Sequence, residues 1–519
     1  MKKSVPKTNK APARKRAAKK NPRVLIVTPE ITYLPPGMGN MAQCLKVKAG
    51  GLADVSASLV SALYDLGADV HVALPHYRRL FHIDVAKFIN DELRVYKSKL
   101  NTSRIHLAED REFYYRDAVY GNSEYDNPRI ALAFQREVIN NIVPIVKPDL
   151  IHCNDWMTGL IPAMARRMGI PCLFTIHNIH TCEMSLAAIE DKGIDAAEFW
   201  RYLFLKRIPY NYEESRNNNL VDFQASGIFA SHFINTVSPT FLEEIVNGRH
   251  AFIPGNIKNE MSQKNQAGCA LGILNSPDPS YNPATDKMIT AKYTPDTSAE
   301  GKIKNKRMLQ DKLGLKKDDN APIFFWPSRL DPMQKGCTLL SDILYRIVSK
   351  YWDDNLQVAI IASGSHQGAF RHIAGFHGIQ DRVAVWDFSE QMSRLGFAGS
   401  DFTLVPSLFE PCGLPQMIGG IYGSLPIAHD TGGLHDTVKH IDARNGTGNG
   451  FIFKTYDANG LFWAIDQAME FHKLPNHIRV MERKRIMEES LATFNHSVTA
   501  KQYIDIYESM LKRPLVNPF

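Results

Sequence analysis

The strongest constraint on the fold is a unit that recurs along the chain: a short apolar run, a polar or glycine-rich loop, then a helix. Apolar, often β-branched runs stand at 23–28, 69–75, 148–156, 171–178 and 233–239, and their C-terminal ends are polar. Runs this short, bounded by turn residues, read as buried strands. Between them the apolar spacing turns helical, as in Leu52, Val55, Leu59, Ala62, Leu63 and Leu66, with Gly67 closing the helix. A second series has strands at 323–326, 357–361, 383–386, 402–405 and 425–428, with helices at 337–350 and 416–422. Strands alternating with helices require a parallel, doubly wound sheet. The expected fold class is therefore α/β, with two Rossmann-like domains facing a cleft.

At 519 residues the chain is too long for one hydrophobic core. The expected division is a basic tail (1–21), a first domain (22–270), a second domain (271–496) and a C-terminal helix (497–519) packing back on the first domain. Residues 92–137 alternate polar and aromatic side chains and read as a mixed β region. The net charge of +7 belongs to the tail: removing its nine Lys/Arg from the total of 61 leaves 52 against 54 Asp/Glu. The tail lacks an apolar segment, so it is no secretory signal; it reads as a solubilising arm, with contact to nucleic acid, an anionic surface or a targeting receptor as alternatives. No apolar run approaches the roughly 18 residues that span a bilayer. Seven cysteines, odd in number and without a CxxC pair, argue against a disulfide framework or zinc site and for a reducing, cytoplasmic setting.

Open sheets of this kind bind ligands at the C-terminal ends of their strands. Arg329 and Lys335 follow the first strand of the second series, on one loop before a helix. A forked guanidinium beside an ammonium suits a diphosphate; two solvated surface cations are the plain alternative. Glu410 lies in the turn Phe409-Glu410-Pro411-Cys412-Gly413-Leu414, where a carboxylate can hold sugar hydroxyls or cap the next helix. Lys48 with Gly50-Gly51, between a strand and a helix, fits a phosphate loop or an ordinary turn. Asp155, His177 and Ser238 stand at strand ends of the first half. Asp155 could be a helix cap and His177 a core histidine. No nicotinamide fingerprint, zinc spacing, serine elbow or magnesium-holding carboxylate cluster is evident, which disfavours hydride transfer and metal-dependent hydrolysis.

Taken in order, these segments resemble the bacterial glycogen synthase and starch synthase family, retaining glucosyltransferases of GT-B fold. Lys48 to Val55 resembles KxGGLxDV, His152 to Gly159 resembles HxHDWxTG, and Phe174 to Asn178 resembles FTIHN. Ser328 to Gly336 resembles SRLxxQKG, and Phe409 to Leu414 reads FEPCGL. The likeness runs from about 23 to 511. It implies glucose transfer from ADP-glucose to the non-reducing end of an α-1,4-glucan, without a metal or cofactor and without a protein nucleophile. It implies an acceptor-side first domain and a donor-side second domain. Arg329 and Lys335 would stabilise the leaving diphosphate, with Lys48, Gly50 and Gly51 reaching it from the other domain. Glu410 would hold the sugar, with Cys412, Gly413 and Leu414 as backbone donors. Asp155, His177 and Asn178 would line the sugar subsite, Asn275 would lie near it, and Phe388 would stack on the base. A UDP-sugar donor, a small acceptor and a non-catalytic glucan binder are the alternatives. The chain departs from the family pattern at Asn154, Ser276-Pro277, Pro415 and His429-Asp430, and its loop before Lys48 is longer.

Overall fold

The computed structural model describes residues 20–39, 41–81, 103–121 and 126–516. Nearly all of the basic tail lies outside these residues. The first domain is a seven-stranded sheet in the order β3-β2-β1-β4-β5-β8-β9. Its strands are β1 (Arg23–Val27), β2 (Asp69–Pro75), β3 (Ile105–Ala108), β4 (Leu150–Asn154), β5 (Cys172–Ile176), β8 (Phe233–Thr236) and β9 (Ala270–Gly272). Every pairing in it is parallel. β6 (Glu183–Ser185) and β7 (Leu220–Asp222) form a separate antiparallel pair. The second domain has six parallel strands in the order β12-β11-β10-β13-β14-β15. These are β10 (Ile323–Trp326), β11 (Gln357–Ile361), β12 (Val383–Trp386), β13 (Phe402–Val405), β14 (Leu425–His429) and β15 (Phe451–Phe453). Strands such as Phe324-Phe325-Trp326 are fully buried because helices cover both faces, so they lack the alternation of a half-exposed strand.

Both sheets reverse their winding at one place, between β1 and β4 and between β10 and β13. A crevice opens at such a switch point, outside the strands' carboxyl ends. Glu30 and Asp155 follow β1 and β4; Arg329 and Glu410 follow β10 and β13. Topology alone therefore brings the chemistry-bearing loops to two crevices.

Two expectations are corrected. The boundary at 270/271 would cut β9, which pairs with β8 and belongs to the first sheet; the first domain thus runs past Gly272. The described part of 92–137 is not mixed β. It holds one short strand and helices Arg111–Tyr114 and Asp126–Glu137, the second buried all round from Ile130 to Gln135.

The last helix, His496–Leu511, crosses back to the first domain, where Ala500, Tyr503, Ile506 and Tyr507 join the core. Asn495 caps it by accepting from the Ser497 and Val498 N–H groups. A chain of hydrogen bonds fixes the docking. Tyr507 O–H donates to His152 Nδ1 at 2.7 Å, and His152 Nε2–H donates to Thr175 Oγ1 at 2.6 Å. Thr175 donates to Asn235 Oδ1 at 2.6 Å, and Asn235 Nδ2 donates to Tyr503 at 3.0 Å. This order requires neutral His152; burial pushes its pKa down to about 3.

Candidate active site

The loop after β10 is built before any ligand arrives. The Trp326 indole N–H donates to Ser328 O at 2.7 Å. Asp331 Oδ1 accepts from the Met333 and Gln334 N–H groups. Gly336, at φ 75°, turns the chain into helix Cys337–Lys350. A Cβ there would sit 2.1 Å from Pro406 O, so the position needs glycine for both its backbone and its space. Arg329 is exposed and makes no ion pair among the described residues. Lys335 is committed: its Nζ lies 2.6 Å from Glu410 Oε2.

Glu410 is 6% exposed, and its Oε2 also accepts from Ser407 Oγ at 2.8 Å. Oε1 has no partner among the described residues. The two groups read separately from the sequence, a phosphate cation and a sugar carboxylate, are thus one buried pair with one oxygen left over. A buried pair of this kind is costly to break from one side. The Gly413 backbone, at φ 75°, lets the chain turn into helix Pro415–Tyr422. Gln416 Nε2 ties down the Cys412 and Gly413 carbonyls, while the N–H groups of Cys412, Gly413 and Leu414 have no partner among the described residues. Pro415 is the first residue of that helix, where its missing N–H costs nothing. His429 is held neutral by burial and shares a hydrogen bond with Ser407 O at 2.9 Å, so it buttresses the Glu410 loop. Phe388 is exposed beyond β12, its N–H bonded to Ser363 Oγ at 3.3 Å. Asn275 is buried near Cys412, and its side-chain oxygen is unpaired.

Across the cleft, a Cβ at Gly51 would lie 3.8 Å from Leu414 Cδ1, so the Gly-Gly loop faces the 409–414 turn. Lys48 Nζ pairs with Asp54 at 2.6 Å in the first turn of helix Gly51–Asp65. The Glu30 carboxylate accepts from the backbone N–H groups of Ala49 and Gly50, the second at 3.0 Å. It is 1% exposed, and burial raises its pKa against those two donors. Glu30 was missed from the sequence. The signal was a carboxylate directly after the first strand at the winding reversal, but strand order cannot be read from one chain.

Asp155 is tied to the next strand's loop. It is 3% exposed, at φ 57°, and both carboxylate oxygens are used. Oδ1 accepts from His177 N at 2.7 Å and Oδ2 from Asn178 Nδ2 at 3.1 Å. In this arrangement it braces His177 and Asn178. Burial lifts its carboxyl to about 7, against the pull of those donors. Asn154 holds His177 in turn. Its Nδ2 donates to Val27 O at 3.1 Å, so its Oδ1 must accept from His177 Nε2, at 3.0 Å. The imidazole, kept neutral by burial with a pKa of about 3, therefore has its acceptor at Nδ1. Ser238 is not at the sugar wall: its hydroxyl points to Asp436 of the second domain, 2.6 Å away.

Comparison with known proteins agrees with this layout. Residues 23–254 match the starch synthase catalytic domain and residues 309–485 match the glycosyl transferases group 1 family. A glycogen synthase of Bacillus cereus (strain ATCC 10987 / NRS 248) is 30% identical over 499 residues, covering 91% of this chain and 99% of its own. The chain belongs to the glycogen and starch synthase family. A second glycogen synthase of the family, from Exiguobacterium sibiricum, is 32% identical over 89% of this chain and 96% of its own. The catalytic domain of Arabidopsis thaliana starch synthase IV, determined with ADP and acarbose, superposes with a TM-score of 0.76 at 26% identity, covering 95% of this chain and all of that one. Sucrose-phosphate synthase of Thermosynechococcus elongatus, at 17% identity and a TM-score of 0.56, shares the fold alone. This glycogen synthase family member is thus a glycosyltransferase of GT-B architecture.

Proposed function

We propose that the enzyme transfers glucose from ADP-glucose to the non-reducing end of an α-1,4-glucan with retention of configuration, in the cytoplasm. One observation carries the donor side. An exposed arginine with no ion pair among the described residues shares the β10 loop with the lysine that grips Glu410, opposite a glycine loop at the other domain's switch point. Arg329 neutralises the diphosphate as it leaves, and Lys335 is positioned by Glu410 to do the same. Glu410 Oε1 and the N–H groups of 412–414 receive the sugar hydroxyls. Neutral His177 offers Nδ1 as an acceptor, and Asn178 stands beside it on the first-domain wall. The diphosphate accepts the acceptor's proton on the face it leaves, which keeps the configuration. The seven cysteines are all free, in keeping with a reducing compartment.

The test is a nucleotide-sugar panel with glycogen as acceptor. Release of ADP from ADP-glucose, dependent on glycogen, is expected. Release from UDP-glucose alone would reassign the donor, and no release from either would remove the proposal.

A further inference from the structure

Two carboxylates reach across the domain boundary, and each ends on the first turn of the other domain's helix. Asp436 lies on helix Gly432–Thr437 of the second domain. It accepts from Ser238 Oγ at 2.6 Å, from Thr240 N at 3.1 Å and from Thr240 Oγ1 at 2.6 Å, at the start of helix Pro239–Val246 in the first domain. Glu244, on that first-domain helix, returns the contact. It accepts from Gly432 N at 3.1 Å and from Thr431 Oγ1 at 3.1 Å. The two helices thus cap one another reciprocally, each supplying the anion that the other's N-terminal N–H groups favour. Glu244 is 4% exposed, and Arg249 and His250 hold its remaining lone pairs at 2.8 and 2.9 Å.

The helix start that Glu244 holds is packed on the donor loop. Gly433 N donates to Glu410 O at 3.0 Å. A Cβ at Gly432 would sit 2.2 Å from Glu410 O, and one at Gly433 would sit 2.1 Å from Cys412 O. Whatever fixes residues 431–433 also fixes the 410–412 turn. Two aromatic rings seal the same seam: Phe252 of the first domain lies 4.4 Å from Phe409 of the second.

We infer that Glu244 and Asp436 form a reciprocal latch between the domains, and that both are positioning residues that set the Glu410 turn against the first-domain wall. The kinetic part rests on the proposed glucosyl transfer; the latch itself does not. Loss of either cap lowers the fraction of molecules in the binding-competent arrangement, which raises the apparent donor constant by that factor. Because both caps stabilise one arrangement, their losses multiply in its population, while the open fraction saturates once most molecules have opened.

The experiment uses the full chain as wild type, Asp436→Asn, Glu244→Gln and the double variant. Small-angle X-ray scattering of the unliganded proteins reports domain separation without any turnover. Steady-state kinetics with ADP-glucose and glycogen separate KM from kcat. The expected result is a larger radius of gyration in each variant and a donor KM raised roughly 5- to 10-fold with a smaller change in kcat, since one such hydrogen-bonded contact corresponds to a factor of that size. In the double variant the two KM factors should multiply, while the radius of gyration moves little beyond that of the worse single variant. Superimposable scattering curves would overturn the latch, as would a double variant no weaker in donor KM than the single ones. Unchanged KM and kcat with expanded scattering would overturn the positioning role. If wild type turns over no nucleotide sugar, the glucosyl-transfer reading fails, and the scattering still decides the latch. Ser238→Ala removes one hydroxyl from the Asp436 cap without touching a charge; a smaller shift in the same direction is expected, and none at all would count against the cap.

Discussion

At the level of single residues, the site is a set of short, paired contacts whose partners are far apart in the chain. Lys335 and Glu410 illustrate this. Lys335→Ala removes the cation that the proposed function sets against the leaving diphosphate, and leaves Glu410 buried without its charge partner. Turnover should fall by two to three orders of magnitude, the scale seen when one electrostatic donor is lost from a preorganised site. Steady-state rates with ADP-glucose and glycogen check this, and a rate within a factor of two of wild type would remove Lys335 from the chemistry. Asp155 yields a pH prediction. An unfolded aspartate titrates near 3.8, and this one near 7 in the fold. Between those values the folded state keeps a proton that the unfolded state has released, so stability falls as pH rises through the window. Three units correspond to an effect on the order of 4 kcal/mol at most. Asp155→Asn should abolish that slope. Thermal unfolding from pH 4 to 7 should show wild type losing ground steadily to the variant, and a constant gap would contradict it. The placing of Arg329, Lys335 and Glu410 on loops that follow strands was legible in the sequence, because apolar runs at 323–326 and 402–405 precede those loops. The bracing role of Asp155 was not, because its partners His177 and Asn178 lie in the loop after the neighbouring strand β5, and their direction depends on pairing.

Among the elements, the alternation of strand and helix is what the sequence carried best, since burial on both faces makes each strand a continuous apolar run. The edges were less legible. β9 is only three residues, and nothing local tells whether it pairs with the strand before it or opens the next domain. The described part of 92–137 reads as strand because aromatic residues favour strands, and tertiary packing overrides that preference. The Pro/Gly punctuation makes a sharper prediction. Gly336 is both left-handed and in contact range of Pro406 O. Gly336→Ala must therefore shift the turn that carries Lys335 into its helix. A loss of at least about 1 kcal/mol in stability is expected, together with a drop in kcat larger than the change in donor KM. Chemical denaturation and kinetics on the same preparation test it; an unchanged unfolding midpoint would show that the loop has room the structure denies.

Over the whole molecule, neither domain is complete alone. The C-terminal helix closes the first core, and the caps at Ser238 and Thr431 join the domains beside the donor turn. The general return of that helix was expected from its apolar face, but the relay through His152, Thr175 and Asn235 was invisible, since each tyrosine that ends it lies more than 250 residues from the strand residue it bonds. Ending the chain at Phe494 would uncover Tyr503 and Tyr507's seats and leave His152 without a donor. Such a protein should lose its cooperative unfolding transition or aggregate, as followed by circular dichroism and size-exclusion chromatography. A truncated chain with a wild-type transition would mean that the helix is an accessory. The two half-sites act only when held together, and the reaction assigned to them is a transfer with retention. Proton NMR of a time course with ADP-glucose and a maltooligosaccharide reads this directly. The account predicts a new α-1,4 linkage at the non-reducing end, with ADP formed in equal amount; a β-linked product, or free glucose with no elongated chain, would contradict it.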